Sequence, residues 1–142
     1  MKIAYPAQFE ADEDGRILVT FRDFPEAATD GVDLAEARTE AVDLLNSVLS
    51  FRMKYREDVP APSKCRKNER AISPDAAVAW KIALYLAMLE SGMSIADLAR
   101  RLKVDNREVQ RIMDPAHPTK IARMSEALAA TGHETTLELH AS

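Results

Sequence analysis

Asn106, Arg107, Gln110 and Arg111 are the side chains in this sequence whose types and spacing suit a definite chemistry. Arginine can bind the edge of guanine through two hydrogen bonds, and asparagine or glutamine can do the same for adenine. At helical spacing these four residues share one face, while Val109, Ile112 and Met113 mark the opposite, apolar face. Thr119 and Lys120 follow, where the free amides of a helix start and a cation suit a phosphate. That is the pattern of a helix that reads bases, with a backbone contact behind it. Asp105 and Glu108 could accept from cytosine, but capping is their simpler role.

Other chemistries find less support. His117, His133 and His140 stand beside Pro, Gly or the C-terminus, and none is paired at i, i+4, so no zinc site is expected. Cys65 has no cysteine partner for a disulfide or a thiolate cage. With 4 glycines there is no Gly-rich phosphate loop. Asp12, Glu13, Asp14, Asp23 and Asp30 fall mostly in turns, with Glu10 at a strand end. A two-metal nuclease would need several carboxylates converging on strand interiors. We therefore expect no catalytic residue, no metal and no cofactor.

The elements that must position the reading helix are short. From Met93 to Asp114 the pattern predicts two amphipathic helices joined by a turn at Lys103 to Asp105. Ile95, Leu98, Ala99 and Leu102 form the apolar face of the first. Ser94 with Asp97, and Asp105 with Glu108, resemble capping boxes, the Asp97 version being the weaker match. This is the layout of a helix-turn-helix. Lys103 stands where such turns often carry glycine. A left-handed residue there costs on the order of 1 kcal/mol without glycine.

Charge separates the chain into zones. Residues 1–63 hold 7 Lys and Arg against 13 Asp and Glu, a net of −6. Residues 64–72 carry +3 and residues 73–142 carry −1, yet residues 100–123 alone carry +4. An acidic total does not exclude DNA binding, because a local patch decides it. The acidic first half is not expected to hold nucleic acid by charge.

Periodicity predicts the remaining elements. Ile3, Tyr5, Ala7 and Phe9 alternate as a strand, with Pro6 suggesting an edge or a break in the ladder. Asp14-Gly15 predicts a hairpin turn into a second strand carrying Ile17, Val19 and Phe21. Asp23 to Glu26 should break the pattern, with a short third strand near Ala27 to Thr29. Asp33 and Glu36 cap a helix whose face runs through Leu34, Ala37, Ala41, Leu44, Leu45, Val48 and Leu49, extended by Phe51 and Tyr55, to near Arg56. Residues 60–68 read as an interdomain segment, and Glu69 to Ile72 as a last strand returning to the sheet. Ser73 as cap and Pro74 at the first position start another helix, with Val78, Ile82, Tyr85, Leu86 and Leu89 on its face and Gly92 ending it. A further helix runs from Thr119 to Thr131. Residues 135–140 alternate as a short strand that packs on its own domain or pairs with a second chain. The expected division is 1–72 and 73–142. The fold class is α+β: a β-β-β-α-β domain followed by an all-α one. With no apolar run of about 18 residues and no secretory leader, no membrane partner and a cytoplasmic location are expected.

These residues resemble a HicB-type antitoxin of a bacterial toxin–antitoxin pair, in the subgroup with a Cro/repressor-like helix-turn-helix. Y-P-A-Q-F-E is similar to that family's opening strand. Asp14, Val19, Phe21, Asp23, Pro25, Thr29 and Gly31 fall on its D-x-G-x-x-V-x-F-x-D-x-P-x-x-x-T-x-G signature, with Gly15 one position ahead of the signature's first glycine, and A-E-A-R-T-E-A-V-D-L-L and V-P-A-P-S are also similar. Glu26 departs from it, since glycine often follows the proline. The resemblance implies a first domain like a partial, inactive ribonuclease H fold. It implies a HicA-type toxin partner, a small basic ribonuclease that the antitoxin covers, and operator DNA bound by a homodimer or higher oligomer. It does not say which residues touch the toxin. The alternatives are a stand-alone regulator whose first domain senses a ligand, and an active nuclease using Glu10 or Asp23.

Overall fold

A computed structural model describes residues 1–141, which divide into two compact units, Met1–Ile82 and the described residues from Ala83 onward. The divide falls within a helix, ten residues beyond the boundary expected at 72/73. Strands β1 (Tyr5–Ala11), β2 (Ile17–Phe21), β3 (Phe24–Gly31) and β4 (Glu69–Ile72) form one antiparallel sheet in the order β3-β2-β1-β4. Helix α1 (Leu34–Lys54) lies between β3 and β4 in sequence, giving the expected β-β-β-α-β order.

The core of the first unit is one face of the sheet against α1. Tyr5, Ala7, Val19, Phe21, Phe24 and Ala27 are buried on the sheet side. Ala37, Ala41, Leu45 and Leu49 meet them, spaced by four along the helix. Small residues bring the helix close at its start. A Cβ added to Gly31 would lie 2.4 Å from the backbone nitrogen of Ala37, so glycine is required there for close approach.

Four sequence expectations for the first unit need correction. Strand β3 is longer than expected, because a two-residue turn at Arg22 and Asp23 leads straight into Phe24. Pro25 is tolerated because β3 is an edge strand. Strand β1 is internal and not the edge that Pro6 allowed, but the other reading of Pro6, a break in the ladder, agrees with the pairing. Its ladder with β2 begins only at Ala7, so Pro6 faces β4 alone. Phe51 and Tyr55 do not extend the buried face of α1. They are 53% and 57% exposed and stack on each other at 4.6 Å. The face of α1 drifts past the sheet by this point, and the helix ends at Lys54 with Arg56 left-handed.

The fourth correction concerns residues 60–68, which with Asp58 and Val59 belong to the first unit and are not an interdomain segment. Val59 is buried. The Tyr5 hydroxyl donates to the Pro60 carbonyl at 2.9 Å, and Arg52 donates to the Asp58 carbonyl at 2.6 Å. Asp23 accepts from the Ser63 backbone N–H at 2.9 Å and from its hydroxyl at 2.6 Å. Arg22 donates to the Lys64 carbonyl and pairs with Glu69. The segment is a strap bound across the first unit that delivers β4 to β1.

Helix α2 (Ala76–Ser91) starts later than Ser73 and Pro74 suggest. Asp75 takes the cap position, its carbonyl accepting from Ala79. Its side chain and backbone are held by Asn46, which donates to its carboxylate and accepts from its N–H, both at 2.9 Å. Ile82, Leu84, Leu86, Ala87 and Met88 are buried, whereas Leu89 is exposed. Gly92, at φ 66, stops the helix. Helices α3 (Ile95–Leu102), α4 (Asn106–Met113) and α5 (Ile121–Ala130) complete the second unit around Leu98, Val109, Ile112, Met124 and Leu128. Helix α5 begins two residues after Thr119. The tail expected as a strand at 135–140 has no regular structure among the described residues.

Candidate functional site

The α3–α4 pair is built as its caps dictate. At Ser94 both bonds of a capping box form: Asp97 N–H donates to the Ser94 hydroxyl oxygen at 3.1 Å, and Ser94 N–H donates to the Asp97 carboxylate at 2.9 Å. The weaker sequence match thus makes the complete box. These bonds hold the Asp97 carboxyl below its ordinary value, helped by Arg100. At Asp105 only half forms. Glu108 N–H donates to Asp105 at 2.8 Å, but the Glu108 carboxylate turns to Arg111 at 2.9 Å.

The turn between them depends on Lys103, which is left-handed at φ 57, ψ 44. Its N–H donates to the Arg100 carbonyl, and the Val104 N–H donates to the Ala99 carbonyl at 3.0 Å. This closes the end of α3 as a glycine would, at the steric cost of a Cβ.

Helix α4 buries Val109 and Ile112 and leaves Asn106, Arg107, Gln110 and Arg111 exposed. All four sequence-selected residues therefore share its outer face, starting at its first turn. Thr119 and Lys120 stand on the loop ahead of α5, Thr119 half-buried and Lys120 exposed. Lys120 holds the N-cap position with no side-chain cap bond, so the first amides of α5 lack the acceptor that an Asp or Ser would supply.

The local basic residues are not equivalent. Arg101 donates to the Ala130 carbonyl at 2.8 Å, which ties α3 to the end of α5. Arg100, Arg111 and Arg123 pair with Asp97, Glu108 and Glu126 on their own helices. Among the described residues, Lys103, Arg107 and Lys120 make no ion pair, which leaves their charge to the surface.

Several acids of the first unit are structurally occupied. Asp23 is spent on Ser63, and Glu10 accepts from Gln8. Asp30 is drawn below its ordinary range by hydrogen bonding to Arg16, Glu26 by Arg52 and Glu69 by Arg22. Burial pushes the Tyr5 hydroxyl upward, with Asp23 adding to it. Among the described residues no group of three His, Cys, Asp or Glu side chains converges as a metal would need. Among the described residues no single helix is long and apolar enough to cross a membrane.

Comparison with known proteins gives this scaffold its kinship. A family profile described as the HicB-like antitoxin of bacterial toxin–antitoxin systems matches residues 4–83, more than half of the chain. The chain belongs to the HicB-like antitoxin family. It is 40% identical over 128 residues to antitoxin HicB 2 of Photorhabdus laumondii, covering 90% of each chain. It is 34% identical over 133 residues to antitoxin HicB of Escherichia coli K12, covering 94% of this chain and 96% of that one. Antitoxin HicB of Pseudomonas fluorescens is 32% identical over 131 residues. These relatives are named as antitoxins, and the chain is accordingly an antitoxin rather than an enzyme.

Within the HicB-like signature, Asp23 and the V-P-A-P-S segment are partners: the aspartate clamps Ser63. Sequence reasoning read them as separate features. The missed signal was their co-occurrence in one signature, with a free carboxylate on one side and a polar residue among prolines on the other.

Proposed function

We propose that this HicB-like antitoxin neutralises a cognate HicA-type mRNA-cleaving ribonuclease toxin and represses its own operon by holding operator DNA. The observation that carries the second half is the outer row of α4. Asn106, Arg107, Gln110 and Arg111 are exposed together, on the second helix of a capped pair joined by a short turn. In a helix-turn-helix that helix enters the major groove with its N-terminal residues on base edges. Thr119 and Lys120 then hold a phosphate and fix the register. A homodimer reads two half-sites about one helical turn apart. Residues 1–72 meet the toxin and residues 73–142 meet DNA. The net of −6 over residues 1–63 suits a basic protein partner and repels nucleic acid.

The test is co-expression with a HicA-type toxin. The expected outcome is a stable complex in which RNA cleavage is suppressed. Binding of that toxin should be lost without residues 1–72, and operator binding should be weakened in Arg107→Ala. A toxin complex formed equally well by residues 73–142 alone would overturn the division of labour.

A further inference from the structure

The sheet of the first unit has two faces, and α1 takes only one. Tyr5, Ala7, Val19 and Phe21 point into the core, so their strand neighbours Gln8, Glu10, Leu18 and Thr20 point the other way. The register sets these out in rows across the outer face. Glu10, Leu18 and Asp30 stand side by side on β1, β2 and β3. In the next row Glu69, Gln8, Thr20 and Ala28 cross all four strands. Leu18 is 40% exposed and Ala28 is exposed, with Gln8 and Thr20 half-buried. A face left to water carries polar residues. Here its middle is a flat neutral platform, and a leucine is set between two carboxylates.

Charge decides what fits this platform. The −6 of residues 1–63 is unevenly placed: residues 10–43 hold 11 Asp and Glu against 3 Lys and Arg, a net of −8. The fold gathers many of these acids at one end of the sheet. Glu10 leads into the turn that carries Asp12, Glu13 and Asp14, and Asp30 leads into Asp33 and Glu36 at the start of α1. Arg16 comes to the same end but pairs with Asp30 at 2.8 Å. The outer face is therefore a neutral and apolar platform with an acidic margin. Its complement is an apolar contact bordered by Lys and Arg.

We propose that the outer face of the sheet, centred on Leu18, Thr20 and Ala28, is the surface that the HicA-type toxin covers. This rests on the antitoxin reading above and adds the place of contact. A ribonuclease has to hold RNA phosphates with cations, and Glu10 and Asp30 offer carboxylates that suit the same cations. The other exposed apolar surface of the unit, Phe51 and Tyr55 at the end of α1, suits a basic partner less well. Lys54 stands 5.4 Å from the centre of the Tyr55 ring, which puts a cation where that partner would come.

The test measures binding of the full chain to a HicA-type toxin for the wild type, Leu18→Arg, Ala28→Arg and Tyr55→Ser. Leu18 and Ala28 are both exposed, so a long side chain has room, and urea unfolding checks that each variant is folded. Leu18→Arg and Ala28→Arg are expected to raise the Kd for the toxin at least about tenfold, and Tyr55→Ser to change it by less than about twofold. Glu10→Gln should slow association and flatten its dependence on salt. Unchanged affinity in both arginine variants, or a loss confined to Tyr55→Ser, would overturn this surface and leave the antitoxin reading standing. A wild-type chain that leaves the toxin unbound would overturn both.

Discussion

Asp23 uses both carboxylate oxygens on Ser63, and that one residue closes the β2–β3 turn against the strap. Asp23→Ala leaves the Ser63 N–H without its acceptor in a half-buried place and should cost about 1–3 kcal/mol, read from urea unfolding. A change under about 0.5 kcal/mol would show that the clamp is incidental. Glu69 makes a pH argument. Its folded carboxyl sits below the ordinary 4.5 because Arg22 hydrogen-bonds it. A depressed carboxyl contributes stability that is fully present above the unfolded value and is lost as pH falls through the folded one. Stability should therefore fall with acid below pH 4.5, and Glu69→Gln should fall less steeply over the same range in denaturant titrations. For DNA, Arg107→Ala or Asn106→Ala should weaken operator binding by about 1–3 kcal/mol and relax the base preference at one position. Lys120→Ala should instead weaken all sequences alike and lower the salt slope by about 1. Gel-shift titrations at several salt concentrations separate the two behaviours.

The second unit turns on elements that are short and sharply ended. Helix α3 has eight residues, and its exit is a left-handed lysine. Lys103→Gly should raise stability by about 0.5–1 kcal/mol, the relief of the Cβ outweighing the added freedom of the unfolded chain. A loss in thermal midpoint would mean that the lysine side chain contributes more than its backbone costs. This helix pair was legible in the sequence because its signals are local: Ser94, Asp105 and the apolar spacing act within four residues of each other. So were the β1–β2 hairpin and α1. Strand β3 was read too short because Pro25 breaks a ladder only where a neighbour needs its N–H, and nothing local says that β3 lies at an edge. The strap was read as a connector for the same reason. Its prolines and cations look solvated until Tyr5, Arg22, Asp23 and Arg52 are brought to it from elsewhere in the chain. The outer face of α4 was legible from residue type and period. The tail was legible only as a pattern of period 2, and its described residues form no strand.

At the scale of the whole molecule, the structural divide at Ile82 and the expected functional divide at 72 differ in consequence. A chain cut after Ile72 keeps the sheet but loses Asp75, which Asn46 both donates to and accepts from. A chain cut after Ile82 keeps these bonds and the buried Ile82. Residues 1–82 should thus be more stable than residues 1–72 by about 1–3 kcal/mol from the two bonds alone, read as the difference in urea unfolding free energy. Equal stabilities would place the first turns of α2 with the second unit instead. The order of the sheet also sets a timetable. Strand β1 leaves the ribosome first, but its partner β4 lies some sixty residues later in the chain, pairing Tyr5 with Ile72. At about 5–20 residues per second, one side of β1 waits roughly 3–13 seconds for its neighbour. Once β4 docks, the first unit is closed while the helices of the second are still being synthesised. The half expected to meet the toxin is then ready before the half expected to meet DNA exists.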